Sequence, residues 1–163
     1  MKDKLVRIPY DQNVFEGGVK ERWEGYVGEL QRTTDKKLEL FIQVNYFHSV
    51  LDDVMEFLLN TDQARGIPPK KIIRILFERG IVNDKEAKDA MKLNQIKNLF
   101  VHNYDNPKVQ SESEKIINKI KLNLSQESIS EEIITSWDMY QKLDFIVWDI
   151  VSTLEDFTLN SKN

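Results

Sequence analysis

The chain contains no cysteine, and only two of its 163 residues are histidine. Without cysteine, a disulfide scaffold, a cysteine-ligated zinc site and thiol catalysis are excluded. The two histidines lie far apart and form no metal-ligand spacing such as HExxH, so we expect no metal and no cofactor. A glycine-rich phosphate loop and a G-x-S-x-G nucleophile elbow are also lacking. The sequence therefore supports neither a P-loop protein nor a serine hydrolase.

Glycine and proline are scarce, with six and four residues, whereas 31% of the residues are charged. This composition favours long helices over a β fold with many turns. Apolar residues make up 40% of the chain, which is enough to build a core at this length. No apolar run is long enough for a signal peptide or a membrane span, so we expect a cytoplasmic protein with no membrane partner.

Apolar periodicity and capping signals predict an all-α fold, an up-and-down bundle of five to six helices with its two longest helices as the spine. We expect an N-terminal arm over residues 1–18 and a single helical domain over residues 19–163. The predicted helices cover residues 19–32, 36–60, 69–79, 83–104, 109–124 and a last long helix that ends near residue 157. Asn83 with Glu86 indicates a capping box, and Ser128 or Ser130 would cap the last helix, whose apolar face would include Ile133.

The stretch from Lys97 to Tyr104 closes the fourth predicted helix, directly before the breaker at residues 105–107. On an ideal helix its apolar residues share one face, and Tyr104 lies on that face. His102 points roughly opposite, beside Asn98 one turn earlier and with Asn94 on the same polar side. The other histidine, His48, lies at the edge of an apolar stripe. We expect it to be a core or interface histidine with a satisfied hydrogen bond.

This stretch lies in the one basic third of an acidic chain whose net charge is −4. Residues 64–122 hold 13 Lys and Arg against 7 Asp and Glu, a net +6, whereas residues 1–63 carry −4 and residues 123–163 carry −6. Local positive potential attracts a phosphate backbone, although solvated helix faces produce similar asymmetries.

The residue types in this stretch match the needs of a metal-free ribonuclease. A histidine can exchange a proton with the reacting oxygen, a cation can stabilise the charge on the phosphate, and the RNA 2′-hydroxyl can be the nucleophile. His102, Lys97, Asn98 and Tyr104 are the candidate catalytic residues. Lys97 and His102 lie about 140° apart around the helix, so they converge in a two-fold dimer more readily than in one protomer. The alternative is that both simply oppose the helix dipole near its C-terminus.

The residues Asn98-Leu99-Phe100-Val101-His102-Asn103-Tyr104 resemble the signature of the HEPN superfamily, the helical domains of many prokaryotic toxin and defence proteins. That motif has an arginine, a polar residue, three mostly apolar residues and a histidine, commonly followed by x-Tyr in the toxin branch. The run from Lys71 through the Gly80-Ile81 turn to Asn98 is similar to the mannitol-repressor-like branch. The resemblance covers roughly residues 38–124.

The resemblance implies that His102 is the catalytic acid/base, that Asn98 is the polar residue of the motif and that Tyr104 is the toxin-branch tyrosine. Lys97 stands where the family has arginine, and lysine lacks the planar fork that holds two phosphate oxygens. The resemblance also implies a homodimer through the motif helix, RNA as a partner and a cognate antitoxin or regulatory protein. The two hypotheses are a homodimeric, metal-independent endoribonuclease weakened by Lys97, and a catalytically silent HEPN-like regulatory or protein-binding module.

Overall fold

The structure is a computed structural model that describes residues 18–59, 66–122 and 131–161. These residues form seven α-helices and no strand, which confirms the predicted all-α bundle. The helices are α1 (Gly18–Arg32), α2 (Lys36–Leu59), α3 (Pro69–Glu78), α4 (Asp84–Asn103), α5 (Val109–Asn118), α6 (Glu131–Thr135) and α7 (Met139–Ser161). None of these helices is long and apolar enough to cross a membrane.

Capping residues explain where several helices begin and end. The Asp35 carboxylate accepts a hydrogen bond from the backbone N–H of Lys37 at the start of α2. Pro68 precedes α3, and Gly80 follows it with a φ of +72°, a conformation that glycine adopts without steric cost. The predicted capping box at α4 is present: the Asn83 side chain accepts from the backbone N–H of Glu86, and the Glu86 side chain accepts from that of Asn83.

The two longest helices, α2 and α7, form the centre of the bundle and pack on each other more extensively than any other pair, as predicted. Gln43 near the start of α2 donates to the backbone carbonyl of Tyr140 near the start of α7, and Phe57 meets Phe157 near their ends. The two helices therefore run in the same direction. At their side, the Tyr26 hydroxyl of α1 donates to the buried Asp144 of α7.

The last predicted helix is divided in two, which corrects the count of helices. Asp138 and Gln141 form a reciprocal pair of backbone-to-side-chain hydrogen bonds that starts α7, whereas α6 ends at Thr135. The break changes the rotational register, so Ile133 is 50% exposed instead of lying on the apolar face of α7. The predicted caps Ser128 and Ser130 lie outside the described residues.

Two further boundaries differ from the prediction. α5 ends at Asn118 and not near Leu124, because Lys119 and Ile120 donate to carbonyls three residues earlier and tighten the chain into a turn. α7 continues to Ser161, beyond the predicted end. Residues 1–17 of the predicted arm, and residues 60–65 from the predicted end of the second helix onward, lie outside the described residues, and Gly18 already belongs to α1.

Candidate functional site

The site is built on the C-terminal half of α4. Leu93, Ile96 and Phe100 are fully buried and anchor this helix in the core. Because side chains four residues apart lie one above the other on a helix, Asn98 and His102 share the opposite side. Both are exposed to solvent. The structure thus places the predicted general acid/base and the motif's polar residue together on one accessible surface.

One residue predicted for that polar side lies elsewhere. Asn94 is buried, at 4% exposure, although the sequence pattern placed it beside His102. The helix α4 packs against α2, α3 and α5, so neighbouring helices cover a wider arc of it than its apolar residues alone indicate. The exposed polar surface of α4 is correspondingly narrower than predicted.

Lys97 lies on the flank of α4 that faces α2, where it is half-buried. Burial lowers the pKa of Lys97, and the nearby Asp52 carboxylate of α2 opposes that shift. The same ammonium group is close enough to His48 to affect the pKa of its imidazole. Lys97 therefore has its electrostatic neighbours on α2, on a different face from the exposed His102.

His48 lies one turn before Asp52 on α2 and is buried, at 4% exposure, as predicted for a core histidine. The expected hydrogen bond is not present at Nε2, which has no hydrogen-bond partner among the described residues. Burial lowers the pKa of His48 to about 3, with a smaller contribution from the positive charge of Lys97. The imidazole is consequently neutral at pH 7.

Tyr104 is the C-cap residue of α4 and is 40% exposed. Its ring meets Phe41 of α2 edge-on at 6.5 Å between centroids and lies 6.1 Å from the ring of Phe100. The ammonium group of Lys37 sits 4.3 Å from the centre of the Tyr104 ring, within the range of a cation–π interaction. The tyrosine thus joins the end of α4 to the start of α2.

Within one protomer, the four predicted residues divide between two faces of α4. Asn98 and His102 lie on the exposed side, whereas Lys97 and Tyr104 lie along the seam with α2. The contacts of Phe41 and His48 with successively earlier residues of α4 show that the two helices are antiparallel. This division agrees with the angle of about 140° expected between Lys97 and His102 on a regular helix.

The sequence did not predict that three further residues lie near the candidate site. They are Lys37 beside Tyr104, and the pair of His48 and Asp52 beside Lys97. The spacing of His48 and Asp52, four residues apart in one helix, was a visible signal that both face the same neighbour. Which helix supplies that neighbour depends on tertiary packing. In the described part of the chain, no group of three or more His, Asp or Glu side chains could hold a metal ion.

The fold and these placements define an all-α bundle with an exposed histidine near the end of α4, a helix whose apolar side is buried in the core. Comparisons with protein-family models, with curated proteins and with solved structures found no match to this chain.

Proposed function

We propose that the chain is a HEPN-like homodimeric protein of the toxin or defence type and a metal-independent endoribonuclease. The observation that carries this proposal is the outward placement of His102 on α4, next to the exposed Asn98. An imidazole that contacts a substrate must be accessible, and a histidine retained only for packing would be covered as His48 is. The basic middle third of the chain supports RNA as the substrate.

In the proposed reaction, the RNA 2′-hydroxyl attacks the adjacent phosphorus and the bond to the 5′-oxygen breaks. The products are a 2′,3′-cyclic phosphate and a 5′-hydroxyl, with no added water. His102 exchanges the proton with the attacking or the leaving oxygen. Lys97 stabilises the charge on the phosphate, and Asn98 and Tyr104 position the scissile bond.

The separation of Lys97 from His102 supports a site composed of two protomers. A two-fold axis near α4 would bring the His102 of one protomer towards the flank of the other, where Lys97 and Tyr104 lie. Each of the two symmetry-related clefts would then contain every predicted residue type. Dimerisation through the motif helix is therefore part of the proposal.

The test is cleavage of a labelled single-stranded RNA in EDTA by the wild-type chain and by His102→Ala. We expect the variant to lose cleavage by about 10²- to 10⁴-fold, the usual contribution of a general acid/base. Gln95→Ala is the matched control, because Gln95 is exposed on the same side of α4. Equal cleavage by His102→Ala and wild type, or no cleavage by either on several RNAs, would contradict the proposal.

A second candidate function is a catalytically silent HEPN-like regulatory or protein-binding module. The half-buried position of Lys97 beside Asp52 and His48 favours it, since this lysine already has a structural role. Lys97→Arg separates the two candidates because it restores the arginine of the family motif. Increased RNA cleavage would support the nuclease, whereas unchanged inactivity with a tight protein partner would support the module.

The proposed nuclease would act in the cytoplasm, where its RNA substrates are found. A free endoribonuclease of the toxin type damages the cell that makes it, so a cognate antitoxin or regulatory protein would hold it inactive. Such a partner would cover His102 or prevent the two protomers from pairing. Purification together with a second protein would support this part of the proposal if the complex does not cleave RNA. Cleavage should return when denaturation removes the second protein and the chain is refolded alone.

A further inference from the structure

The solvent-facing side of α3 combines exposed cations with an exposed aromatic ring. Ile72, Ile73 and Leu76 are buried and attach this helix to the bundle. Lys70, Arg74 and Phe77 follow one another at intervals of four and three residues, so they share one exposed side of the helix. Phe77 is 45% exposed. We call Lys70, Lys71, Arg74, Phe77 and Arg79 the α3 surface; all five residues are exposed.

In the described part of the chain, some exposed cations of the middle third form ion pairs and others do not. Lys88 pairs with Asp84, and Lys115 pairs with Glu112. Among the described residues, by contrast, no acidic side chain forms an ion pair with any of the four cations of the α3 surface. Glu78 is the one acidic residue within α3. The surface therefore keeps a net positive charge on a protein whose total charge is negative.

An exposed phenylalanine beside several exposed cations matches the surfaces that bind single-stranded nucleic acid. Such surfaces combine positive side chains that follow the phosphates with aromatic rings on which unpaired bases stack. Stacking requires an unpaired base, and bases inside an RNA duplex are not available to a side chain on a helix surface. Positive charge alone would attract any polyanion, whereas the exposed ring of Phe77 can also stack on an unpaired base.

We infer that the α3 surface binds the single-stranded RNA substrate, with phosphates on Lys70 and Arg74 and one base stacked on Phe77. Lys71 lies about 100° around the helix from Lys70, and Arg79 follows the last residue of α3, so each adds positive charge beside this side of the helix. This inference rests on the proposed ribonuclease function and names the substrate class: single strands or unpaired loops, in preference to duplex RNA. The surface lies outside the four candidate catalytic residues, so it determines which RNA is held and not how the bond is broken.

The test is fluorescence anisotropy with a labelled single-stranded 2′-O-methyl RNA of about twelve nucleotides, which is long enough to span such a site. The 2′-O-methyl group removes the nucleophile, so binding is measured without cleavage. Phe77→Ala is expected to weaken binding by about 5- to 150-fold, the range that corresponds to losing one base–aromatic stack. Arg74→Gln is expected to lower the dependence of log affinity on log salt by about 0.7, the loss of one phosphate contact.

Two matched controls come from elsewhere in the chain. Ile133→Ala removes an exposed apolar side chain from α6, and Lys119→Gln removes an exposed charge just after α5. Both are expected to bind like the wild type. The inference is overturned if the α3 variants bind like these controls, if a duplex of the same length binds more tightly, or if the wild type does not bind.

Cleavable RNA separates the failure of this inference from the failure of the proposed function. If the wild type binds through α3 and does not cleave, the surface stands and the ribonuclease proposal fails. If Phe77→Ala and Arg74→Gln cleave at the wild-type rate at low RNA concentration, the α3 surface is wrong and the ribonuclease proposal stands. If both proposals are correct, Phe77→Ala and Arg74→Gln cleave more slowly because their KM is higher. His102→Ala cleaves more slowly because its kcat is lower.

Discussion

At the scale of single residues, the seam between α2 and α4 contains a buried neutral imidazole beside a half-buried ammonium group. Burial lowers the pKa of both His48 and Lys97, because each loses hydration of its charged form. The Asp52 carboxylate partly compensates Lys97. Protonating His48 would place two positive charges next to each other in a poorly hydrated seam, so the seam tolerates only the neutral imidazole.

This arrangement predicts a loss of stability in acid. The pKa of His48 is about 3 in the folded protein and about 6.5 when unfolded, so the unfolded chain binds the extra proton between those values. Stability therefore falls as the pH decreases from about 6.5 to about 3, with a slope of at most about 1.4 kcal/mol per pH unit from this group. Urea unfolding at several pH values in this window measures the slope.

His48→Gln is the variant for comparison, because a glutamine side chain does not titrate. We expect the free energy of unfolding of this variant to vary less steeply with pH than that of the wild type. His102→Gln is the matched control, because it removes the exposed histidine and leaves the buried one. Parallel pH profiles for wild type and His48→Gln would show that the His48 imidazole is not kept neutral by the fold.

At the scale of helices, the sequence correctly predicted the helix ends that are set by capping residues, proline or glycine. Asn83 with Glu86, Pro68 with Pro69 and Gly80 with its positive φ all act within one turn of the chain, and each was readable from the sequence. The break before α7 has the same chemistry in Asp138 and Gln141. It was missed because the apolar repeat on both sides of the break favoured one continuous helix.

Tertiary packing determined what could not be predicted. The burial of Asn94 and the meeting of Lys97 with His48 depend on which helix packs on α4 and in what register. The end of α5 at Asn118 has no glycine or proline to signal it. For the candidate site, the helix repeat correctly placed Asn98 and His102 on one exposed side, since they lie one turn apart in the same helix.

The cap at Asp138 gives a prediction at this scale. Asp138→Ala removes the acceptor for the backbone N–H of Gln141, and we expect it to lower the free energy of unfolding by about 0.5–2 kcal/mol. Hydrogen exchange should show the loss of protection concentrated in the first turn of α7. Asp105→Ala, at an exposed aspartate in the turn after α4, is the control. Equal effects of the two substitutions would mean that Asp138 does not stabilise the start of α7.

At the scale of the whole molecule, positive charge is concentrated in one part of the chain. The middle third carries the positive charge, and it supplies α3, α4 and α5, whereas the flanking thirds are acidic. In the proposed dimer, two copies of α4 would bring the basic thirds together and leave the acidic helices outside. Like charges would then face each other across the cleft, and a bound polyanion would stabilise the pair.

The most direct test of the composite site mixes two inactive variants, His102→Ala and Lys97→Gln. If each cleft takes His102 from one protomer and Lys97 from the other, a mixed dimer has one complete cleft. Random pairing after unfolding and refolding an equal mixture should then restore about a quarter of the wild-type rate of RNA cleavage in EDTA. Refolded single variants provide the baseline. A mixture as inactive as its components would contradict a site shared between protomers.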